Sequence, residues 1–172
     1  MQMWKVSVLL FVASASVSSA QEKSSASITS ISVKQTITVA GNPFPTDASV
    51  KDGFKFVETT IAISGSAPYA ANLTKVFLRD SGQQYPVAGI GFPCGRFSML
   101  KPVALKDGRL EVNESIILRD ASLNIEFKHT EGGASELSIA KPPATFCLVF
   151  VTPTSMRSKS DHTTFVHSSG KL

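Results

Sequence analysis

The sequence predicts an all-β fold, namely an antiparallel β-sandwich of about seven to nine strands. Apolar residues recur at every second position in several short segments, as in "SLNIEF", where Leu123, Ile125 and Phe127 share one face. Gly- and Pro-rich stretches such as "GNPFPTD" separate these segments, and no long window has helical periodicity. Many short strands between turn residues are typical of a sandwich or a barrel.

The first half of the chain contains two clear strand patterns. In "ISVKQTITV", Ile31, Val33, Ile37 and Val39 alternate with polar residues and predict a half-buried strand. In "FKFVETTIAI" the apolar phase changes near Val57, which predicts either a bulge or a strand covered on both faces.

The strand patterns continue through "LTKVFL", "QYPVAGIGF", "RFSML", "RLEV", "SIIL" and "ELSIA". A further strand pattern, "ATFCLVFV", follows them in the sequence. It is apolar on both faces, with Phe146, Leu148 and Phe150 on one face and Cys147 and Val149 on the other. This pattern predicts a central strand that is covered on both faces.

The stretch "KVFLRDSGQQYPV" could be a reactive site or the tip of a hairpin. Asp80 and Ser81 are residues that bond their own backbone in turns, and Gly82 adopts a positive φ at little cost. A catalytic Ser81 would need a base, and no His lies near it in the sequence. We therefore interpret Arg79 to Gly82 as a hairpin connection.

Two segments resemble each other, "VKDGFKFVETTIAI" and "LKDGRLEVNESIIL". A duplicated hairpin would explain the similarity, and so would the common use of Asp-Gly in hairpin turns. Because no further repeat extends the match, we favour the second explanation.

Residues 1–20 have the pattern of a secretory signal peptide. Lys5 precedes an apolar run over residues 6–17, and small residues lead to a predicted cut between Ala20 and Gln21. A buried first strand or a membrane anchor are the alternatives, but the run is shorter than the roughly 20 residues that span a bilayer. We expect a secreted or periplasmic protein.

The mature chain is predicted to consist of the sandwich over residues 21–153 and a polar, basic tail over residues 154–172. No second long apolar segment follows the signal, so no transmembrane segment is expected in the mature chain. The net charge of +4 is mild and scattered, and nucleic-acid binding is not expected. In the tail, "HTTFV" could add a short edge strand, or the basic residues could contact anionic envelope polymers.

Cys94 and Cys147 are the only two cysteines. Because an exported chain meets an oxidising compartment, we predict that they form one intrachain disulfide. The alternative is a pair of buried free thiols whose Cα atoms lie more than about 7 Å apart.

No pattern in the chain points to catalysis, a metal or a cofactor. His129, His162 and His167 lack metal-ligand spacing, and no nucleophile motif is present. Four glutamates on predicted strands are expected to face solvent: Glu58, Glu111, Glu114 and Glu126. We therefore predict that the protein is not an enzyme and has no catalytic residues.

Two further patterns are weaker. Gly89, Gly91 and Gly95 form a Gly-rich run that no helix follows, so it is interpreted as permitting a bend rather than binding phosphate. Asn72 and Asn113 begin Asn-X-Ser/Thr sequons, which would be glycosylation sites if the source is eukaryotic.

The order of "GFKFVETTIAISGSAP", "LTKVFLRDSGQQYPV" and "TFCLVFVTP" resembles a group of bacterial extracellular immunoglobulin-like domains that includes the mycobacterial immunoprotective extracellular antigen. The matching elements are residues 57–63, 77–85 and 148–153. The chain departs from the group in a long middle insertion, in its two cysteines and in lacking Asn after the early strand. The resemblance implies an exported immunoglobulin-like sandwich and supplies no catalytic residues.

The functional hypothesis is an exported, non-enzymatic binding module that contacts another protein or a cell-envelope component. One alternative is an envelope enzyme or enzyme inhibitor whose site is built from loops. Another is a carrier of a small apolar ligand between the sheets, ranked last because alternating phenylalanines are ordinarily core residues.

Overall fold

The computed structural model describes residues 23–41, 43–80, 82–112, 115–122, 124–130, 132–156 and 165–167, the last of these ranges as backbone only. The predicted cleavage site, Asn113, Glu114 and His162 lie outside the described residues. Within them the chain is all-β, as predicted, with fifteen strands and one 3₁₀ turn.

The strands follow one another in short segments. Their bounds are β1 Ser25–Lys34, β2 Thr36–Val39, β3 Thr46–Ser49, β4 Phe54–Ser64, β5 Tyr69–Asn72, β6 Val76–Asp80, β7 Gln83–Gly91, β8 Arg96–Met99, β9 Val103–Leu105, β10 Gly108–Leu110, β11 Ile116–Asp120, β12 Ile125–His129, β13 Ser135–Ile139, β14 Ala144–Pro153 and β15 Phe165–His167. The 3₁₀ turn covers Leu73–Lys75, between β5 and β6.

Nine strands of the described chain form one large sheet in the order β1-β4-β14-β7-β8-β2-β3, with β6 also on β7 and β15 on β6. One pair is parallel, because Thr38 and Val39 of β2 face Arg96 and Phe97 of β8. The sheet is therefore mixed rather than wholly antiparallel as predicted. β2 is already paired with β3, and β8 with β7, both antiparallel. β2 and β8 meet along the free edges of these two pairs. No short turn connects β2 to β8, so the connection does not require them to be antiparallel.

The number of strands exceeds the predicted seven to nine because irregular residues divide the chain more finely than apolar alternation indicates. A bend at Gln35 separates β1 from β2 within the stretch interpreted as one strand. β9 and β10 also form a small two-stranded hairpin of their own, which touches the large sheet through a bridge between Leu105 and Val50.

A second sheet of four strands, in the order β11-β12-β13-β5, packs against the large one. One apolar cluster contains Phe146 and Phe150 of β14 together with Phe127 of β12 and Leu137 of β13. All four are at most 1% exposed. The two sheets therefore share one core, as stacked sheets do.

The prediction of a central strand covered on both faces is confirmed for β14, which lies between β4 and β7. Phe146, Leu148 and Phe150 belong to the core shared with the small sheet. Cys147 and Val149 point to a second cluster, which is enclosed by β2, β3, β8 and β9. The large sheet thus curls so that its own edge strands cover its other face.

The strand β4 is also covered on both faces, which decides between the two explanations for the phase change near Val57. Residues 55–59 are all buried. Glu58 was predicted to face solvent, and this was wrong: it is 7% exposed and forms an ion pair with Lys34 of the neighbouring β1. The prediction assumed that one face of β4 is exposed to solvent. Because both faces are covered, the alternation of residues along β4 does not place Glu58 in solvent.

The interpretation of Arg79 to Gly82 as a hairpin connection is confirmed by the described residues on either side of Ser81, which itself lies outside the described residues. β6 and β7 are antiparallel, and Asp80 faces Gln83 across the turn. Gly82 has a φ of 84° there, in the region where a residue without a Cβ is least strained.

The two segments with similar sequence lie side by side. Val50 and Leu105 form an antiparallel bridge, and Lys106 Nζ lies 3.2 Å from Asp52 Oδ1. The two Lys-Asp-Gly turns are therefore neighbours on the surface.

Candidate ligand cavity

A cavity of about 550 Å³ lies where the 3₁₀ turn, β6, β7 and the hairpin of β12 and β13 meet. Most of its wall is apolar, and the polar side chains on it are few. The lining consists of Leu73, Thr74, Phe77, Pro86, Val87, Leu100, Lys101, His129, Gly133 and Ser135. A mainly apolar concave surface with a few polar groups is the usual form of a ligand site.

Ser135 is the polar residue that the fold holds most firmly at this cavity. Along β13, buried and exposed residues alternate strictly, so that Ser135 lies on the same inward face as Leu137 and Ile139. Ser135 is only 4% exposed. A hydroxyl in such a position needs a hydrogen-bond partner.

The partner of Ser135 is His129. The two residues face each other across the hairpin of β12 and β13, and His129 Nδ1 lies 2.7 Å from Ser135 Oγ. The imidazole is half-buried at the cavity wall. The pair can donate or accept one hydrogen bond depending on the tautomer, which makes it a versatile contact for a polar ligand group.

Lys101 supplies the positive charge at the cavity. It is exposed and follows Leu100, which is buried in the main core. Among the described residues, no Asp or Glu forms an ion pair with Lys101, and no acidic residue lines the cavity.

A second pocket of about 270 Å³ has Pro86 and Lys101 in common with the lining of this cavity. Apart from Lys101, its lining is apolar: Phe54, Pro86, Ala88, Pro102, Val103, Ala104 and Val151. The segment from Leu100 to Ala104 thus lines two pockets. One contains the His129–Ser135 pair and borders the core shared with the small sheet, and the other, almost wholly apolar, borders the second cluster on the opposite face of the large sheet.

The described residues offer no support for metal chemistry, since they contain no group of three or more His, Cys, Asp or Glu that could hold a metal ion. Among the side chains that the structure describes, His129 is the histidine on the cavity wall. His167 lies on β15, whose backbone pairs with β6, and the structure describes nothing of its side chain.

The predicted cysteine pair lies at disulfide distance. Cys94 is in the connection between β7 and β8, and its Cα is 5.2 Å from that of Cys147 on β14. The alternative of two distant thiols therefore does not apply. Gly91 faces Cys147, and a Cβ there would lie 2.6 Å from the carbonyl oxygen of Arg96. The Gly-rich run thus permits the tight return of the chain that brings Cys94 to β14.

Asn72, the sequon residue within the described chain, caps the 3₁₀ turn. Its Oδ1 accepts hydrogen bonds from the backbone N–H of Thr74 at 3.0 Å and from the hydroxyl of Thr74 at 2.6 Å. Its glycosylation stays a prediction, as does that of Asn113.

A third pocket, of about 410 Å³, lies at the other end of the small sheet, between Tyr69, Arg119 and Glu126. Glu126 Oε1 lies 2.7 Å from Lys128 Nζ, and its Oε2 lies 3.1 Å from Arg119 Nε. The hydrogen bond from Lys128 and the charge of Arg119 hold the pKa of this carboxyl below its ordinary 4.5. Glu126 at this pocket is therefore paired with two cations.

The pKa of Tyr69 is raised above its ordinary 10.0 because burial disfavours the phenolate. We expect an alkaline titration followed by ultraviolet absorbance to show Tyr69 deprotonating later than a free phenol, and Tyr69→Phe to remove that late phase. The folded state holds the Tyr69 proton more tightly, so the contribution of Tyr69 to stability is fully present below about pH 10 and is lost as pH rises through the folded pKa.

The matched control for this titration is Tyr85→Phe, since the chain has two tyrosines. If Tyr69→Phe removes the earlier phase and Tyr85→Phe the later one, the assignment of the raised pKa to Tyr69 is wrong.

Two cavity residues were not found by sequence reasoning. The strand pattern "ELSIA" begins at Glu136, one residue after Ser135, so it does not predict the inward position of Ser135 at the start of β13. Lys101 lies outside regular structure and follows no pattern. His129 is considered in the sequence only as a metal ligand, a role that its spacing does not support. Its position opposite Ser135 depends on the register of the hairpin.

No helix in the described part of the chain is long and apolar enough to cross a membrane. No family model, curated protein or solved structure matches the chain. The structure therefore defines an all-β protein with a mixed sheet, a disulfide-linked cysteine pair and a largely apolar cavity. The resemblance to bacterial immunoglobulin-like domains stays a prediction.

Proposed function

We propose that this chain is an exported, non-enzymatic binding module whose site is the cavity between the 3₁₀ turn and the hairpin of β12 and β13. The observation that carries the proposal is the cavity itself, with its apolar wall and the His129–Ser135 pair. Sites of this form bind small molecules by burying their apolar part and orienting them with a few polar contacts.

Export is part of the proposal, supported by the cysteine pair and by the signal-like first twenty residues. Disulfides persist in oxidising compartments and are rare in the cytosol. We further propose that the two stacked sheets form an immunoglobulin-like sandwich. The support for this is the core shared by β12, β13 and β14, together with the resemblance of the three strand segments.

Binding is favoured over catalysis by the environment of Ser135. A nucleophilic serine needs an accessible Oγ and a base that a third group orients, but Ser135 is 4% exposed and none of the described residues that line the cavity carries a carboxylate. Hydrolysis is nevertheless the second candidate, because a Ser–His contact of 2.7 Å at a cavity is the specific arrangement that it would require.

The test of binding uses a neutral fluorescent probe, N-phenyl-1-naphthylamine, whose emission rises in apolar surroundings. We expect saturable binding of one probe per folded chain. Thr74→Trp places an indole at the exposed lip of the cavity and should abolish the signal, whereas Thr36→Trp, the same change on the distant exposed end of β2, should not. Absence of saturable binding, or equal binding to both variants, would refute the cavity as the site.

The two candidates are separated by a serine-directed fluorophosphonate. The binding module should show no adduct by intact mass after prolonged incubation, with or without Ser135→Ala. An adduct on the wild-type chain that Ser135→Ala removes would establish hydrolase chemistry and overturn the non-enzymatic proposal.

A further inference from the structure

The two sulfurs of the Cys94–Cys147 disulfide lie in very different surroundings. Cys147 is 0% exposed on the central strand β14, and Cys94 is exposed in the connection between β7 and β8. We propose that Cys94 is the sulfur through which the folded protein exchanges this bond with external thiols, and that it carries the mixed disulfide when the bond opens or closes. This inference does not depend on the cavity or on the proposed function.

The packing of Cys147 protects its sulfur from attack. In disulfide exchange the incoming thiolate must reach one of the two sulfurs directly, and the other sulfur leaves. Cys147 lies between β4 and β7, and it belongs to the second apolar cluster together with Ile37 and Phe97. A thiolate that approached this sulfur would have to enter the cluster and lose its hydration, which is costly for a charged group.

The surroundings of Cys94 are open. Residues 93–96 are all exposed. A Cβ placed on Gly95 would meet no atom of the described chain within 4 Å apart from its chain neighbours. Arg96, two residues after Cys94, brings a positive charge to this connection, and a nearby cation favours a thiolate. Access and charge therefore both select Cys94 as the sulfur that is attacked.

The leaving sulfur, that of Cys147, has a hydrogen-bond donor beside it. Thr60 faces Cys147 across the pair of β4 and β14, and Thr60 Oγ1 lies 3.4 Å from Cys147 Sγ. A disulfide sulfur has no proton, so the hydroxyl donates in this contact. A hydrogen bond to an ionised group is stronger than one to a neutral group, so Thr60 stabilises the Cys147 thiolate as it leaves.

The bond opens in two exchange steps. An external thiolate attacks Cys94 Sγ and bonds to it, while the Cys94–Cys147 bond breaks and Cys147 leaves as a thiolate. A second external thiolate attacks the external sulfur of this mixed disulfide and expels Cys94 as a thiolate. Both protein thiolates take protons from water, so one protein disulfide is reduced and two external thiols are oxidised to a disulfide. Closure is the reverse, with an external disulfide as the oxidant.

The experiment treats the folded wild-type chain with a large excess of glutathione at neutral pH. Samples are quenched with acid, alkylated with N-ethylmaleimide and mapped by mass spectrometry. We expect glutathione on Cys94 at least about tenfold more often than on Cys147, which should carry the maleimide instead. In urea, where both sulfurs are accessible, the two cysteines should carry similar amounts of glutathione.

Three results of this mapping would overturn the proposal. They are glutathione mainly on Cys147, glutathione equally on both cysteines of the folded chain, and no adduct on the folded chain while the sample in urea reacts. A thioredoxin that lacks its second active-site cysteine distinguishes a protein partner from a small thiol. If it is trapped on Cys94 faster than glutathione, the partner is a redox protein, and slower trapping on Cys94 indicates a small thiol. Trapping on Cys147 would overturn the proposal.

Thr60→Val tests the assistance to the leaving sulfur, because it keeps the shape of the side chain and removes the hydroxyl. We expect the bond to open about tenfold more slowly in this variant, with the glutathione still on Cys94. Thr36→Val makes the same change on β2 and should leave the opening rate unchanged. An equal opening rate in the wild type and in Thr60→Val would overturn the role of Thr60.

Discussion

Removing the Cys94–Cys147 disulfide is expected to lower the free energy of unfolding by about 4 kcal/mol. The bond closes a loop between residues 53 positions apart, and the loss of chain entropy in the unfolded state grows with the logarithm of that length. Such a change is a large fraction of the roughly 5–15 kcal/mol that stabilises an ordinary domain. The measurement is urea unfolding of the double variant Cys94→Ala/Cys147→Ala beside the wild type.

The control for the disulfide is reduction itself. A reductant should lower the unfolding midpoint of the wild type to near that of the double variant and should leave the double variant unchanged. Labelling of two thiols in the denatured, unreduced wild-type protein would show that no bond had formed. An effect below about 1 kcal/mol would show that the unfolded chain is already compact around this loop.

The second large effect is expected from Phe127→Ala, at about 3–5 kcal/mol. Phe127 is 0% exposed and lies in the core that the small sheet shares with β14. Its removal leaves a cavity between the two sheets that rigid backbone strands close only in part. We expect a lower unfolding midpoint in urea and a single cooperative transition.

Phe44→Ala provides the same chemical change on the surface. Phe44 is 77% exposed, so its truncation should alter the free energy of unfolding by no more than about 0.5 kcal/mol. If Phe127→Ala and Phe44→Ala lowered the free energy of unfolding by similar amounts, the assignment of Phe127 to the shared core would be wrong. Two separate transitions in Phe127→Ala would show that the sheets unfold independently.

The elements that could be predicted from the sequence are those whose own residue pattern depends directly on their burial or on local turn chemistry. The continuous apolar run of β14 predicted a covered central strand because both faces of such a strand must be apolar. The Asp-Ser-Gly turn after β6 predicted a hairpin because local turn chemistry is nearly independent of the rest of the fold.

What the sequence could not predict depends on contacts between distant segments. The parallel pairing of β2 with β8 is decided where two hairpins meet, and no residue on either strand encodes that direction. The burial of Glu58 depends on which strands cover β4 and on the position of Lys34 beside it. The candidate site also depends on contacts between distant segments, because Lys101 and Ser135 line one cavity only when the two sheets are packed together.

The position of the disulfide also fixes an order of events while the chain is being made. Six strands, β8 to β13, lie between Cys94 and Cys147, so nearly the whole small sheet is contained in the loop. At synthesis rates of about 5–20 residues per second, Cys94 waits about 3–10 s for Cys147 to follow. During that interval its thiol has no partner within its own chain. Closing the bond is therefore a late step in maturation, and it locks a sheet whose strands have already been synthesised.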